Sequence, residues 1–158
     1  MGQPDIYVDA DGCPVKPEVY RVAQRHGLKV IVVANAWLAV PKEPWLELAV
    51  VNDRLDAADD WIAEHVRAGD LVISGDIPLA SRCLKRGARV LGPSGRVFTE
   101  ATIGEALAGR EIQSHLRETG VMTGGPAPFG KAERSRFLQR MEELVRACRE
   151  GAGDREGE

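Results

Sequence analysis

The sequence predicts an α/β fold with a mainly parallel central sheet. Three observations carry this. Short apolar runs alternate with helical patterns from residue 5 to residue 92. Several of those runs, such as "LKVIVVANA" at 28–36, are continuous rather than alternating, as in strands covered on both faces. A chain of 158 residues, 44% hydrophobic and 28% charged, also suits one domain with a full core. That domain is expected to span residues 1–150, with a disordered tail at 151–158, "GAGDREGE".

Residues 5–10 read as the first strand, ending in a turn around Asp9 and Asp11. "KPEVYRVAQRHG" reads as a helix, with Pro17 in its first turn and Gly27 as its stop. The run at 28–36 is the second strand; a Pro-rich connection carrying Trp37 and Trp45 leads to the third, "LELAVV". "DAADDWIAEHVRAG" is a helix with Asp56 in the N-cap position and Gly69 at its end. "DLVISGD" (70–76) is the fourth strand, "IPLASRCLKRG" the next helix and "ARVLGP" a fifth short strand. Two more helices, "TIGEALAGREIQSHLRETG" and "KAERSRFLQRMEELVRACRE", follow, joined by the Gly/Pro loop "VMTGGPAPFG".

Composition narrows the function. No stretch approaches the roughly 20 uninterrupted apolar residues of a membrane span, and the start shows no basic-then-apolar signal pattern. A cytoplasmic location is expected. Cys13, Cys83 and Cys148, odd in number and widely spread, form neither a disulfide framework nor a CxxC zinc motif. Cys83 and Cys148 read as small helix-face residues, whereas Cys13, beside the aspartates, is a candidate for reactivity. His26, His65 and His115 lack HxxxH spacing, which argues against zinc. Charge is unevenly spread: residues 1–76 hold 13 acids against 7 Lys and Arg, whereas residues 131–149 hold 6 basic residues against 3 acids. That arrangement fits a phosphate-bearing ligand beside an acidic centre, or a solvated helix face.

The acids themselves are the main signal. On an extended chain Asp9 and Asp11 share a face. Asp76 ends the fourth strand, and ligands of open parallel sheets bind beyond the carboxyl ends of strands. The helix opening at 56 adds Asp56, Asp59 and Asp60. Each of these has a structural alternative, as an N-cap or as a first-turn acid favoured by the helix dipole. Crowded carboxylates repel one another, and oxygen-only clusters are what Mg²⁺ and Mn²⁺ prefer.

"VDADGCPVKPEVYRVA", "DAADDWIAE", "VISGDIPLASRCLKRGA", "GRVFTEATIGEALA" and "TGGPAPFGKAERSRFL" together resemble the YaiI/YqxD family of small bacterial proteins, also called DUF188 or UPF0178. The resemblance runs from about residue 6 to residue 145 and rests on five separated motifs in order. It implies a PIN-like three-layer fold with a central sheet of about five strands and extra C-terminal helices. PIN-like domains are metal-dependent ribonucleases with acids at the ends of parallel strands. By that analogy Asp9 is the first-strand acid, one of Asp56, Asp59 and Asp60 the second, and Asp76 the later strand-end acid. Two details depart from the pattern. PIN nucleases usually follow the first acid with a small hydroxyl residue, where this chain has Ala10–Asp11, and they use a single helical acid where this chain offers three.

The leading expectation is a metal-dependent phosphodiesterase acting on RNA. Asp9, Asp11 and Asp76 are its catalytic candidates, and Asp56, Asp59 and Asp60 join them as candidate ligands for Mg²⁺ or Mn²⁺. Arg82, Lys85, Lys131, Arg134 and Arg136 are candidates for substrate phosphates, with ordinary surface charge as the alternative. Trp37 and Phe129 read as core or loop anchors, with base stacking the alternative. Two other functions compete: an RNA- or protein-binding module without catalysis, and a phosphatase resembling the haloacid dehalogenases, in which "DADG" would supply Asp9 as nucleophile. Against the latter, Cys13 stands where Thr is usual. A homodimer is a further expectation of the PIN-like resemblance.

Overall fold

Branched apolar residues build the centre of a six-stranded sheet in a computed structural model that describes residues 3–11, 13–54, 56–105 and 130–157. The strands are β1 (Ile6–Asp9), β2 (Val30–Ala34), β3 (Leu46–Val50), β4 (Leu71–Ile73), β5 (Arg89–Leu91) and β6 (Val97–Phe98). They lie in the order β3-β2-β1-β4-β5-β6; β1 to β5 are parallel, and β6 runs antiparallel to β5. Every residue of β1, β2 and β4 is buried, because helices cover both faces there.

The helices are α1 (Lys16–His26), α2 (Ala57–His65), α3 (Ile77–Lys85), α4, described over 100–105, and α5 (Lys131–Gly157). Successive strand residues point to opposite faces. Ile6 and Val8 therefore join the core under α1 and α5, while Tyr7 joins the core under α2, α3 and Ile103. The result is three layers, consistent with the PIN-like architecture. Gly27 ends α1 in the left-handed conformation (φ 67°), its N–H donating back to Ala23 and Gln24, as its place after the helix pattern predicts.

The topology also decides where a ligand sits. The chain winds outward from β1 through β2 to β3, then returns to place β4 on the other side of β1. After β1 it passes to α1, on one face; after β4 it passes to α3, on the other. The two connections diverge and leave a crevice at the carboxyl ends of β1 and β4.

Three details differ from the sequence reading. β6 adds a sixth strand, only two residues long and too short to show a pattern. It folds back through a turn in which Gly95 has φ 94° and stands so near α5 that a Cβ would meet Arg136 Cγ at 2.7 Å. α2 ends at Val66, which is already extended, so Gly69 (φ 92°) serves the turn into β4 instead. α5 runs on to Gly157, over residues expected as a tail, because propagating a helix adds one hydrogen bond per residue. Of the helix expected over 102–120, residues 106–120 lie outside the described residues, as does His115.

Candidate functional site

Asp9 closes β1 only 8% exposed, and burying a carboxylate there requires a partner. Ser74, itself 2% exposed just after β4, provides it: its hydroxyl donates to Asp9 Oδ2 at 3.0 Å. The Asp76 backbone N–H donates to the same Ser74 oxygen at 3.0 Å, and Asp76 Oδ1 accepts the Leu79 N–H at 2.9 Å. β4 stops at Ile73 and not at Asp76 as expected, so Asp76 stands three residues beyond the strand, as the N-cap of α3. This relay locks β1 to β4 across the crevice.

A cleft of about 290 Å³ opens beside this pair, lined by Asp9, Asp11, Asp56, Asp59 and Asp76. Five of the six predicted acids therefore meet around one space, from four segments of the chain. Asp11 gets there by the turn and not by strand alternation, since β1 stops at Asp9. Asp56 occupies the N-cap position of α2, yet its side chain caps nothing. Its backbone is left-handed (φ 68°), the one positive φ outside glycine among the described residues. Asp60 is not among the lining residues: Arg82 donates to its Oδ1 at 2.8 Å and Arg54 to its Oδ2 at 3.1 Å. It lies next to Asp59 but about a quarter-turn round the helix, which aims it at the arginines.

Four further lining residues escaped the sequence reading. Asp53, Arg54, Asn35 and Ala58 complete the cleft wall. Asn35 follows β2 and staples the loop after β3, its amide donating to the Asn52 carbonyl at 3.0 Å and the Arg54 carbonyl at 3.4 Å. The available signal was position: both "NDR" and Asn35 follow strand ends at the same sheet edge.

The basic candidates scatter. Arg82 stands by the cleft through Asp60, while Lys85 lies at the far end of α3. Arg134 reaches the start of α1, donating to the Pro14 carbonyl at 3.0 Å and to Glu18 at 3.1 Å. Lys131 and Arg136 are exposed on the opening turns of α5. Trp37, read as an anchor, is instead 75% exposed, two residues beyond Asn35; Phe129 lies outside the described residues. Cys13 is buried, and burial pushes its thiol up, which makes it a poor nucleophile. Cys83 and Cys148 are buried helix residues, as expected.

Electrostatics mark the cleft. Burial holds the Asp9 carboxyl above its ordinary range, with the charges of Asp76 and Asp11 adding to it; the Ser74 hydroxyl and the Asp11 N–H pull the other way. Burial, then the charges of Asp76, Asp9 and Asp56, pushes Asp59 up to about 6, against a smaller pull from Arg82. The carboxylates ring the cleft without closing on one point: among the described residues, no three His, Cys, Asp or Glu side chains are gathered tightly enough to hold one ion as they stand. The donor set, all hard oxygens under mutual repulsion, nevertheless suits Mg²⁺ or Mn²⁺.

Asp59 yields a signed prediction. Its folded pKa, about 6, lies above the unfolded value near 3.9, so ionising it costs stability as pH rises through that window. Asp59→Asn is expected to melt about 2–4 °C above wild type at pH 7 in EDTA, allowing for solvent screening at this partly open site. The gain should vanish below about pH 4, where both forms are uncharged. Thermal melts across that range check it, and a pH-independent difference would refute the assignment.

Fold and cleft together define an α/β domain with an acidic crevice at its topological switch point. The chain belongs to a family of uncharacterised bacterial proteins: the profile described as "Uncharacterized BCR, YaiI/YqxD family" matches residues 7–147. It is 54% identical over 148 residues to the UPF0178 protein of Brucella suis, covering 92% of each chain. The UPF0178 protein of Rhodopseudomonas palustris is 53% identical over 141 residues, 89% of this chain and 86% of its own. No solved structure matches the chain. No helix among the described residues is long and apolar enough to cross a membrane.

Proposed function

We propose that this protein is a divalent-metal-dependent phosphodiesterase that cleaves single-stranded RNA. One observation carries the reading: carboxylates from β1, the β3–α2 loop, α2 and the α3 N-cap crowd a single cleft at the switch point, where burial first, and then the charges of Asp76, Asp9 and Asp56, push Asp59 up to about 6. Repulsion of that kind is relieved by a cation. Asp9, Asp11, Asp59 and Asp76 would hold Mg²⁺ or Mn²⁺, with Asp56 and Asp53 at the rim. Such an ion lowers the pKa of a bound water and offsets charge on a phosphate.

The protein's own groups prepare that chemistry. Ser74 orients Asp9, and the Leu79 N–H orients Asp76, so two carboxylates are held before anything binds. Arg54, on the cleft wall, offers a cation to the substrate's backbone. Trp37 presents an open ring on which an unpaired base can stack, which favours single strands over duplexes.

The test is incubation of the purified protein with a labelled single-stranded RNA and Mn²⁺. Cleavage that EDTA abolishes supports the reading. Failure to cut RNA or DNA with any divalent ion refutes it. Turnover of a small phosphomonoester through an aspartyl-phosphate at Asp9 would refute it in favour of the phosphatase.

A further inference from the structure

Two guanidinium groups at the cleft rim converge on one carboxylate. Arg54, from the loop after β3, donates to Asp60 Oδ2 at 3.1 Å, and Arg82, from the second turn of α3, donates to Oδ1 at 2.8 Å. Arg54 and Arg82 are 65% and 45% exposed in their side chains, so neither pair is a buried structural bridge. Exposed pairs of this kind add little stability. The arrangement is nonetheless built. The loop carrying Arg54 is tied to β2 by the Asn35 amide, and its own N–H donates to Asn52 Oδ1 at 2.9 Å.

The charge count of the triad points to an anion. Two cations share one carboxylate, leaving the triad with a net positive charge beside a cleft whose other charged lining residues are acids. Each guanidinium engages Asp60 through one nitrogen and carries five N–H donors in a planar fork, so each keeps donors for a second partner. Asp60 draws the two forks to its two oxygens, which brings both within reach of one further anion such as a phosphate. Arg82 also pulls on Asp59 through space, but the hydrogen bonds of both arginines go to Asp60 and not to the acids that line the cleft.

We propose that Arg54 and Arg82, braced on Asp60, form a subsite that grips a backbone phosphate of single-stranded RNA next to the carboxylate cleft. The choice of RNA rests on the nuclease reading above; the anion-binding geometry does not. Arg54 and Arg82 touch the phosphate, and Asp60 is a positioning residue.

The subsite is tested by fluorescence anisotropy with a labelled oligouridylate and Mn²⁺, in an Asp9→Asn background so that the strand stays intact. Arg54→Ala and Arg82→Ala are each expected to weaken binding about tenfold and to lower the salt slope by about one. Arg54→Lys keeps the charge but loses the fork, so it should keep the slope and recover only part of the affinity. Asp60→Asn adds positive charge, and tighter binding would follow from charge alone; the brace predicts weaker binding instead. Tighter binding by Asp60→Asn, or unchanged affinity and slope in both alanine variants, overturns the proposal. So does absence of RNA binding by every form. Arginine-dependent binding with no cleavage by the wild-type protein would keep the subsite and remove the nuclease reading. Cleavage indifferent to both arginines would do the reverse.

Discussion

Asp9→Asn is expected to lower Mn²⁺-dependent RNA cleavage by more than 100-fold while the protein stays folded. The loss should exceed the 10- to 100-fold typical of residues that only support a metal's ligands. Asn keeps the shape of Asp and an oxygen for the Ser74 hydroxyl at 3.0 Å, so the β1–β4 relay survives. What disappears is the negative charge aimed at the cleft. Because burial and the Asp76 and Asp11 charges hold the Asp9 carboxyl above its ordinary range, the neutral side chain costs the metal-free fold less. The variant should therefore melt at or above the wild-type temperature in EDTA and gain less from added Mn²⁺, since a ligand stabilises only the form that binds it. Undiminished cleavage by this variant would remove Asp9 from the chemistry; a lower melting temperature would show that its charge is structural.

Phe137→Ala is expected to produce the largest loss of stability, about 3–5 kcal/mol, a fall in Tm on the order of 10 °C. Phe137 is fully buried on α5, in one core with Ile6, Val8, Val19 and Leu91, and with Met141 and Val145 one and two turns further along the helix. Truncating it leaves a void between α5 and the sheet around β4 and β5, where neighbours held by strand pairing cannot collapse into it. Urea denaturation followed by circular dichroism measures the effect. A change under 1 kcal/mol would mean that α5 is peripheral to the core. The same buried row anchors α5 in the core.

How much of this was legible depended on whether the signal was local. α1 and α3 read correctly because Pro near the start, a periodic apolar face and a Gly or basic stop all lie within about a dozen residues. β2 read correctly because VIVVA is branched and continuous. Asp9 and Asp76 stood out because each ends an apolar run. Other residues carried no such mark. Ser74 is an ordinary small residue in "ISGD" until β4 is laid beside β1, when its hydroxyl meets Asp9 across 65 positions of sequence. Asp59 and Asp60 stand about a quarter-turn apart in the first turn of α2, so the sequence says that they need not share a point but not which one turns inward; packing sends Asp59 to the cleft and Asp60 to two arginines. Asp53 and Arg54 were hidden in a polar loop, where charge is the ordinary condition.

The sequence by itself determined the alternation of strand and helix, the parallel sheet, the family and the acids at two strand ends. These follow from side-chain periodicity and chain punctuation, which act over one element at a time. Only the tertiary structure decided which acids share a space. Strand order placed β4 beside β1, helix rotation turned Asp59 inward and Asp60 outward, and Asn35 carried the Arg54 loop to the rim. Those are relations between distant segments, set by how the layers pack, and no local pattern in the chain encodes them.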